Sequence, residues 1–188
     1  PRQAASSTGY DISKSDVWKK INGPTFTTSF DDLKRGHYNH IMVYDVLDHA
    51  QNPEEVMVQV RSLLAKEGRI YVRCHPWTSR HASHLFKNNL NKAYIHLFLT
   101  WEEIYEAVGK VQPMYTRVEK NPIEAYHWWF HMFKIVSERK VQEPVHPFFL
   151  QDNYKTILQR EQGLKAEEVG QFLTNMTNQF IDYVLVAK

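Results

Sequence analysis

The residues best suited to chemistry stand at the ends of two short apolar runs. His40-Ile-Met-Val-Tyr44 leads into Asp45, Asp48 and His49, and Gly68-Arg-Ile-Tyr-Val72 leads into Arg73, Cys74, His75 and Trp77. Carboxylates beside imidazoles are the groups that take and return protons near neutral pH. A second polar group follows in Arg80, His81 and His84, where an arginine can pair with a phosphate or carboxylate. His75, His81 and His84 are spaced by six and three residues. That spacing matches no standard zinc pattern, no carboxylate or cysteine pair completes one, and no metal is expected.

The intervening stretch must bring these groups together. Asn52 is a natural N-cap, Pro53 fits the first helical position, and Glu55 completes the spacing of a capping box. Val56, Val60, Leu63 and Leu64 recur as one helical stripe, and Lys66 and Gly68 predict its stop. The flanking runs are short and rich in β-branched and aromatic residues, so they read as parallel strands of a β-α-β unit. Open α/β sheets bind ligands beyond the carboxyl ends of their strands. Tyr44, Asp45, Asp48, His49, Arg73, His75 and Trp77 are therefore expected at the edge of a site.

The segment Asp45-Val-Leu-Asp-His-Ala50, a Pro-initiated helix, Leu63-Leu-Ala-Lys-Glu-Gly68 and a second strand resemble the later half of class I S-adenosylmethionine-dependent methyltransferases. The resemblance implies an α/β, Rossmann-like fold: a mostly parallel twisted sheet flanked by helices, with an antiparallel last strand. It implies S-adenosylmethionine as cofactor. Asp11, at the end of a short strand Gly9 to Ser13, matches the carboxylate that holds the ribose hydroxyls; read alone, it is better explained as a turn cap, and the order and spacing of the later motifs reverse that. Asp31 and Asp32 follow a strand at Thr25 to Ser29, where the family places an acid near the adenine; the plain alternative is a helix N-terminus or a turn. Tyr44 and Asp45 complete the expected cofactor-binding set. Asp45, His49 and His75 are the candidate catalytic groups, and Arg73, Trp77, Arg80, His81 and His84 the candidate acceptor-binding groups. The family's ribose 2′-O-methylating members use a Lys-Asp-Lys-Glu set, at whose places this chain offers Asp45, Arg73 and Asp182. Arginine is a poor substitute for the lysine there, because it stays protonated.

The remaining chain fits one domain. It has 188 residues, 43% hydrophobic and 13% aromatic, which suits a packed core and excludes a disordered chain. A net charge of +2 neither requires nor excludes nucleic acid. The single Cys74 excludes an intrachain disulfide and fits a reducing compartment, so an intracellular, more specifically cytoplasmic, location is expected, with no membrane partner. A short helix is expected from Asp16 to Ile21. Asn91 to Thr100 reads as a strand or part of a lid. Thr100-Trp-Glu-Glu103 has capping-box spacing and predicts a helix from Trp101 to about Val108. Met114 to Val118 reads as a strand or link. His127, Trp128 and Trp129 could stack on a base, although aromatics before a strand are more often core. Phe130 to Val136 reads as a strand, Ser137 to Lys140 as a charged turn, Phe148 to Arg160 and Lys165 to Met176 as helices, and Phe180 to Ala187 as a closing antiparallel strand.

The sequence departs from the family at its start. There are 7 glycines, no two of them two residues apart, so the Gly-x-Gly-x-Gly turn is absent. Only ten residues precede Asp11, too few for the roughly 30 of a strand, turn and helix. The first strand is therefore expected upstream of Pro1, on another chain, or replaced, with this chain the larger C-terminal part of a single domain spanning 1–188. Two functions follow: a methyltransferase acting on a small molecule or on RNA, or an inactive methyltransferase-like scaffold within a larger viral or multidomain protein.

Overall fold

The helix between the two apolar runs forms as its caps dictate. In the computed structural model, which describes residues 8–10, 25–27, 29–80, 82, 93–108, 119–161 and 163–188, α1 spans Pro53–Leu63. Asn52 Oδ1 accepts from the Glu55 N–H at 3.2 Å, and the Glu55 carboxylate accepts from Asn52 Nδ2 at 3.3 Å. Met57, Val60 and Leu63 are buried on one face.

Thr8–Tyr10 (β1) and Thr25–Thr27 (β2) pair in parallel as a two-stranded ribbon. A 3₁₀ turn at Phe30–Asp32 follows. Tyr38–Tyr44 (β3) runs parallel to Leu64–Cys74 (β4), with Met42 opposite Tyr71 and Tyr44 opposite Arg73. The later elements are α2 (Ile95–Phe98), α3 (Trp101–Val108), α4 (Ile123–Trp129), β5 (Phe133–Gln142), α5 (Pro147–Arg160), α6 (Ala166–Met176) and β6 (Asn178–Ala187). The larger sheet has the order β3-β4-β6-β5, and β6 is antiparallel to both neighbours. The closing strand therefore slots between β4 and β5, with α5 and α6 in the connection that returns it.

The main core lies on one sheet face. Val43, Ile70, Val72, Cys74, Ile181, Tyr183 and Leu185 pack with Met57 and Val60 of α1 and with Ile123, Tyr126 and Phe130 of α4 and its end. Strand alternation puts every second residue there. A second cluster joins Tyr94 and Leu97 to Ile157, Phe172 and Met176, with Trp77 and Phe149 against it. The opposite sheet face carries Met42, Tyr44 and Arg73, and Met42 is 67% exposed. Among the described residues no helix is long and apolar enough to cross a membrane.

Four expectations change. The helix ends at Leu63, not at Lys66 to Gly68, because Leu64 already pairs with Tyr38. Residues 137–140 continue β5, and their charges find partners: Glu138 with His127 at 3.0 Å and Arg139 with Asp182 at 3.8 Å. Ile95–Phe98 is one helical turn, not a strand. The aromatics before β5 form α4, with Tyr126 buried, Trp129 half-buried and Trp128 exposed. The expectations for 16–21 and 114–118 lie outside the described residues.

Candidate active site

The sheet delivers the end of β3 beside the end of β4. The Asp45 N–H donates to the Arg73 carbonyl at 3.1 Å, so the first residue past β3 is tied to the carboxyl end of β4. Asp45 adopts φ +55°, a left-handed conformation that aspartate tolerates better than most residues. A strained residue persists where its surroundings fix it, and such residues cluster at functional sites. The Asp45 carboxylate is itself fixed: Oδ1 lies 3.1 Å from His75 Nε2. His75 Nδ1 is 2.9 Å from the Gln179 carbonyl of β6. Burial would lower the His75 pKa, but the hydrogen bond to Asp45 and the charges of Asp45 and Asp48 outweigh it, and the net shift is upward.

Arg73 forms the next row. Its Nε donates to Asp182 Oδ1 at 2.7 Å and its Nη2 to Oδ2 at 3.1 Å, a bidentate pair across β4 and β6. The guanidinium also lies over Tyr44 at 5.1 Å and Phe180 at 4.1 Å. Planar, delocalised arginine suits both contacts at once. The row Tyr44, Arg73, Asp182 follows from the register, since these residues are direct cross-strand partners.

Asp48 is buried behind this edge. It is 1% exposed, and among the described residues no side chain, and no backbone N–H other than its own, meets its carboxylate at hydrogen-bond distance; His49 Nε2 is 3.9 Å away. Burial raises its pKa above the ordinary 3.8, more than the nearby His49 and His75 charges lower it. A raised pKa means that the folded state keeps the proton longer than the unfolded one. The stabilising contribution is therefore whole below about pH 3.8 and is lost as pH rises through the folded value. Asp48→Asn is expected to raise stability at pH 7 because it removes the cost tied to the raised carboxyl pKa, about 1.4 kcal/mol for each pH unit by which folding raises it. The gain should vanish near pH 3. Urea titrations at the two pH values check this, and an equal effect at both would contradict it. Burial likewise pushes the Cys74 thiol pKa up, which makes it inert rather than nucleophilic.

Other candidates lie elsewhere. Asp32 Oδ2 accepts from Thr27 Oγ1 at 2.5 Å within the turn after β2, and Asp31 is exposed beside it. Trp77 packs in the second cluster, edge-on to His96 at 4.8 Å. Arg80 Nη1 is 3.6 Å from Glu143 Oε2 at the start of the α5–α6 connection. Asp11, His81 and His84 lie outside the described residues. The structure thus gathers Tyr44, Asp45, Arg73, His75 and Asp182 at one edge, with His49 next to Asp48. Gln179 and Phe180 were missed; the first acts through its backbone carbonyl, which no side-chain pattern encodes. Among the described residues no three His, Cys, Asp or Glu side chains converge as metal ligands.

No protein-family model and no curated protein matches the sequence. Solved structures do match its shape. An S-adenosylmethionine-dependent methyltransferase from Mesorhizobium loti aligns with a TM-score of 0.55 and 11% identity, over 97% of this chain and 80% of that one. One from Thermotoga maritima aligns at 0.54 and 11%, over 97% and 73%. One from Archaeoglobus fulgidus aligns at 0.50 and 13%, over 95% and 75%. Parallel β3 and β4, an antiparallel β6 inserted between β4 and β5, and these neighbours agree: the chain has the Rossmann-like fold of class I S-adenosylmethionine-dependent methyltransferases.

Proposed function

We propose that this chain is an S-adenosylmethionine-dependent methyltransferase. The observation that supports this most is the strand-end edge itself, where a strained Asp45 with a half-exposed carboxylate stands beside Tyr44 on this sheet order. The described residues fit the cofactor in part. An exposed carboxylate and an aromatic ring at the end of β3 suit its polar and planar groups, while no glycine cradle is present in the sequence. Asp11, Asp31, Asp32, Tyr44 and Asp45 would hold it, and when bound it supplies an electrophilic methyl group on a sulfonium. Methyl transfer is an in-line displacement, so the protein's main task is to orient the acceptor. Asp45 and His49 stand near where an acceptor proton would be received, and His75, held between Asp45 and the Gln179 carbonyl, would position Asp45. Arg73 does not serve as a base, because it is permanently protonated and both its bonded donors are committed to Asp182. This weighs for a small-molecule acceptor over RNA ribose.

Calorimetric titration of the full chain with S-adenosylhomocysteine tests the proposal. A micromolar Kd is expected, weakened at least tenfold, or about 1.4 kcal/mol, by Asp11→Ala and by Asp45→Ala. Absence of binding at millimolar ligand would overturn it. A second reading, an inactive scaffold, is favoured by one observation: β3 has no strand partner on its outer edge among the described residues. An open edge is where another strand adds. That reading expects no cofactor binding and a stability that rises when a partner is present.

A further inference from the structure

We infer that His75 is a positioning residue, a double hydrogen-bond donor that ties Asp45 to β6 and holds its carboxylate at the edge of the site. Its functional part rests on the methyltransferase reading; its structural part does not. The argument begins with the acceptors. A backbone carbonyl can only accept, so the 2.9 Å contact to Gln179 requires a proton on His75 Nδ1. The other nitrogen, Nε2, faces Asp45 Oδ1 at 3.1 Å. With Asp45 ionised, the carboxylate also only accepts, so Nε2 carries a proton as well and the ring is an imidazolium. A ring protonated at both nitrogens has no lone pair with which to act as a base. Its role is to hold.

The surroundings agree. Asp45 and Asp48 face the ring from the turn after β3, where His49 also stands, and the Phe180 ring of β6 meets it edge-on at 5.9 Å. Tyr126 of α4 donates to the His75 carbonyl at 3.5 Å, so the backbone is held as well as the ring. The two nearby carboxylates favour the cation, and the aromatic neighbour carries no charge to oppose it. His75 thereby links three strands: it sits past β4, bonds the start of β6, and grips the residue past β3. The main-chain bond from Asp45 to the Arg73 carbonyl closes the same tie two residues away. Side chain and backbone together over-determine the strained Asp45. The Asp45 side chain so held is 46% exposed, at the edge of the site.

The test is a ring-nitrogen NMR titration of the full chain. His75 is expected to be protonated on both nitrogens at pH 7 and to titrate above the ordinary value of about 6.5. Asp45→Asn should bring its midpoint down by about one pH unit, a tenfold change in ionisation. A single proton on Nδ1 at pH 7, or a midpoint that ignores Asp45→Asn, would overturn the inference. The second readout is the pH profile of S-adenosylhomocysteine affinity. In the wild type affinity should fall as pH rises through the His75 titration, and His75→Gln should flatten that profile. A profile that is unchanged by His75→Gln also overturns it. Double protonation without any ligand binding would support the tie and refute the methyltransferase reading, so the two failures are separable.

Discussion

Tyr183→Ala is expected to destabilise the protein by about 3–5 kcal/mol, the range for truncating a large buried aromatic. Tyr183 is 1% exposed and lies in the middle of the sheet, opposite Val72 on one side and Glu138 on the other. Its ring meets Phe130 edge-on at 5.0 Å and lies 6.5 Å from Tyr126, so it connects β6 to α4. The cavity would open between a sheet and a helix that are both fixed by other contacts, and rigid surroundings collapse poorly. The hydroxyl behaves differently. Among the described residues it is buried without a hydrogen-bond partner, and burial pushes its pKa far upward. Tyr183→Phe removes that unsatisfied group and keeps the ring, so it should be neutral or stabilising by up to about 1 kcal/mol. Denaturant midpoints for the two variants measure both effects. A Phe variant as unstable as the Ala variant would show that the hydroxyl, not the ring, holds the site together.

Gly68→Ala is expected to cost about 1–3 kcal/mol, as overpacking a filled site does. A Cβ at Gly68 would stand 2.6 Å from Leu64 Cδ1 and 2.9 Å from the Tyr38 carbonyl oxygen. The leucine tip can swing away. The carbonyl cannot, because it belongs to β3 where that strand meets β4. The register between these strands is irregular at this point, passing from Tyr38 opposite Leu64 to His40 opposite Arg69. Gly68 lets the extra β4 residues fold in while the backbones stay close. The measurement is the urea midpoint of Gly68→Ala beside that of Gly163→Ala. At Gly163 φ is +97° with open space around it, so strain without a clash is the comparison. Equal losses at both positions would refute the role of the Tyr38 carbonyl.

The sequence made some of this readable and hid the rest for identifiable reasons. The capped helix was legible because Asn52, Pro53 and Glu55 act locally, and the same holds for Thr100 and Glu103, whose reciprocal bonds form at 3.2 and 2.7 Å. The place of β6 came from the family resemblance and agrees with the pairing. The helix end was not legible, since Leu63 and Leu64 suit either a helical stripe or a strand; the decision rests with Tyr38, far away in sequence. Residues 137–140 misled through their charge, because an edge strand exposes polar side chains on both faces. Ile95–Phe98 is too short for its period to separate helix from strand. For α4 a signal existed: Ile123, Tyr126 and Phe130 are spaced by three and four residues, one face of a helix. At the site, the meeting of Asp45 with His75 follows from the β-α-β unit. The burial of Asp48, one turn further on, does not, because nothing local distinguishes it from Asp45.

The position of β6 also bears on how the protein is made. β6 is the last strand in sequence, yet it is interior to the sheet, and the Arg73–Asp182 pair joins residues 109 positions apart. While the ribosome is still translating residues 143–177, β4 can pair with β3 but neither β4 nor β5 can yet pair with β6. Each then presents an unpaired edge beside apolar residues such as Val72 and Phe133, the condition under which nascent chains pair with the wrong neighbour. The non-local pairing further slows closure once β6 emerges. The α5–α6 connection therefore sets a delay during synthesis, and this interval is where a holding chaperone has most to protect.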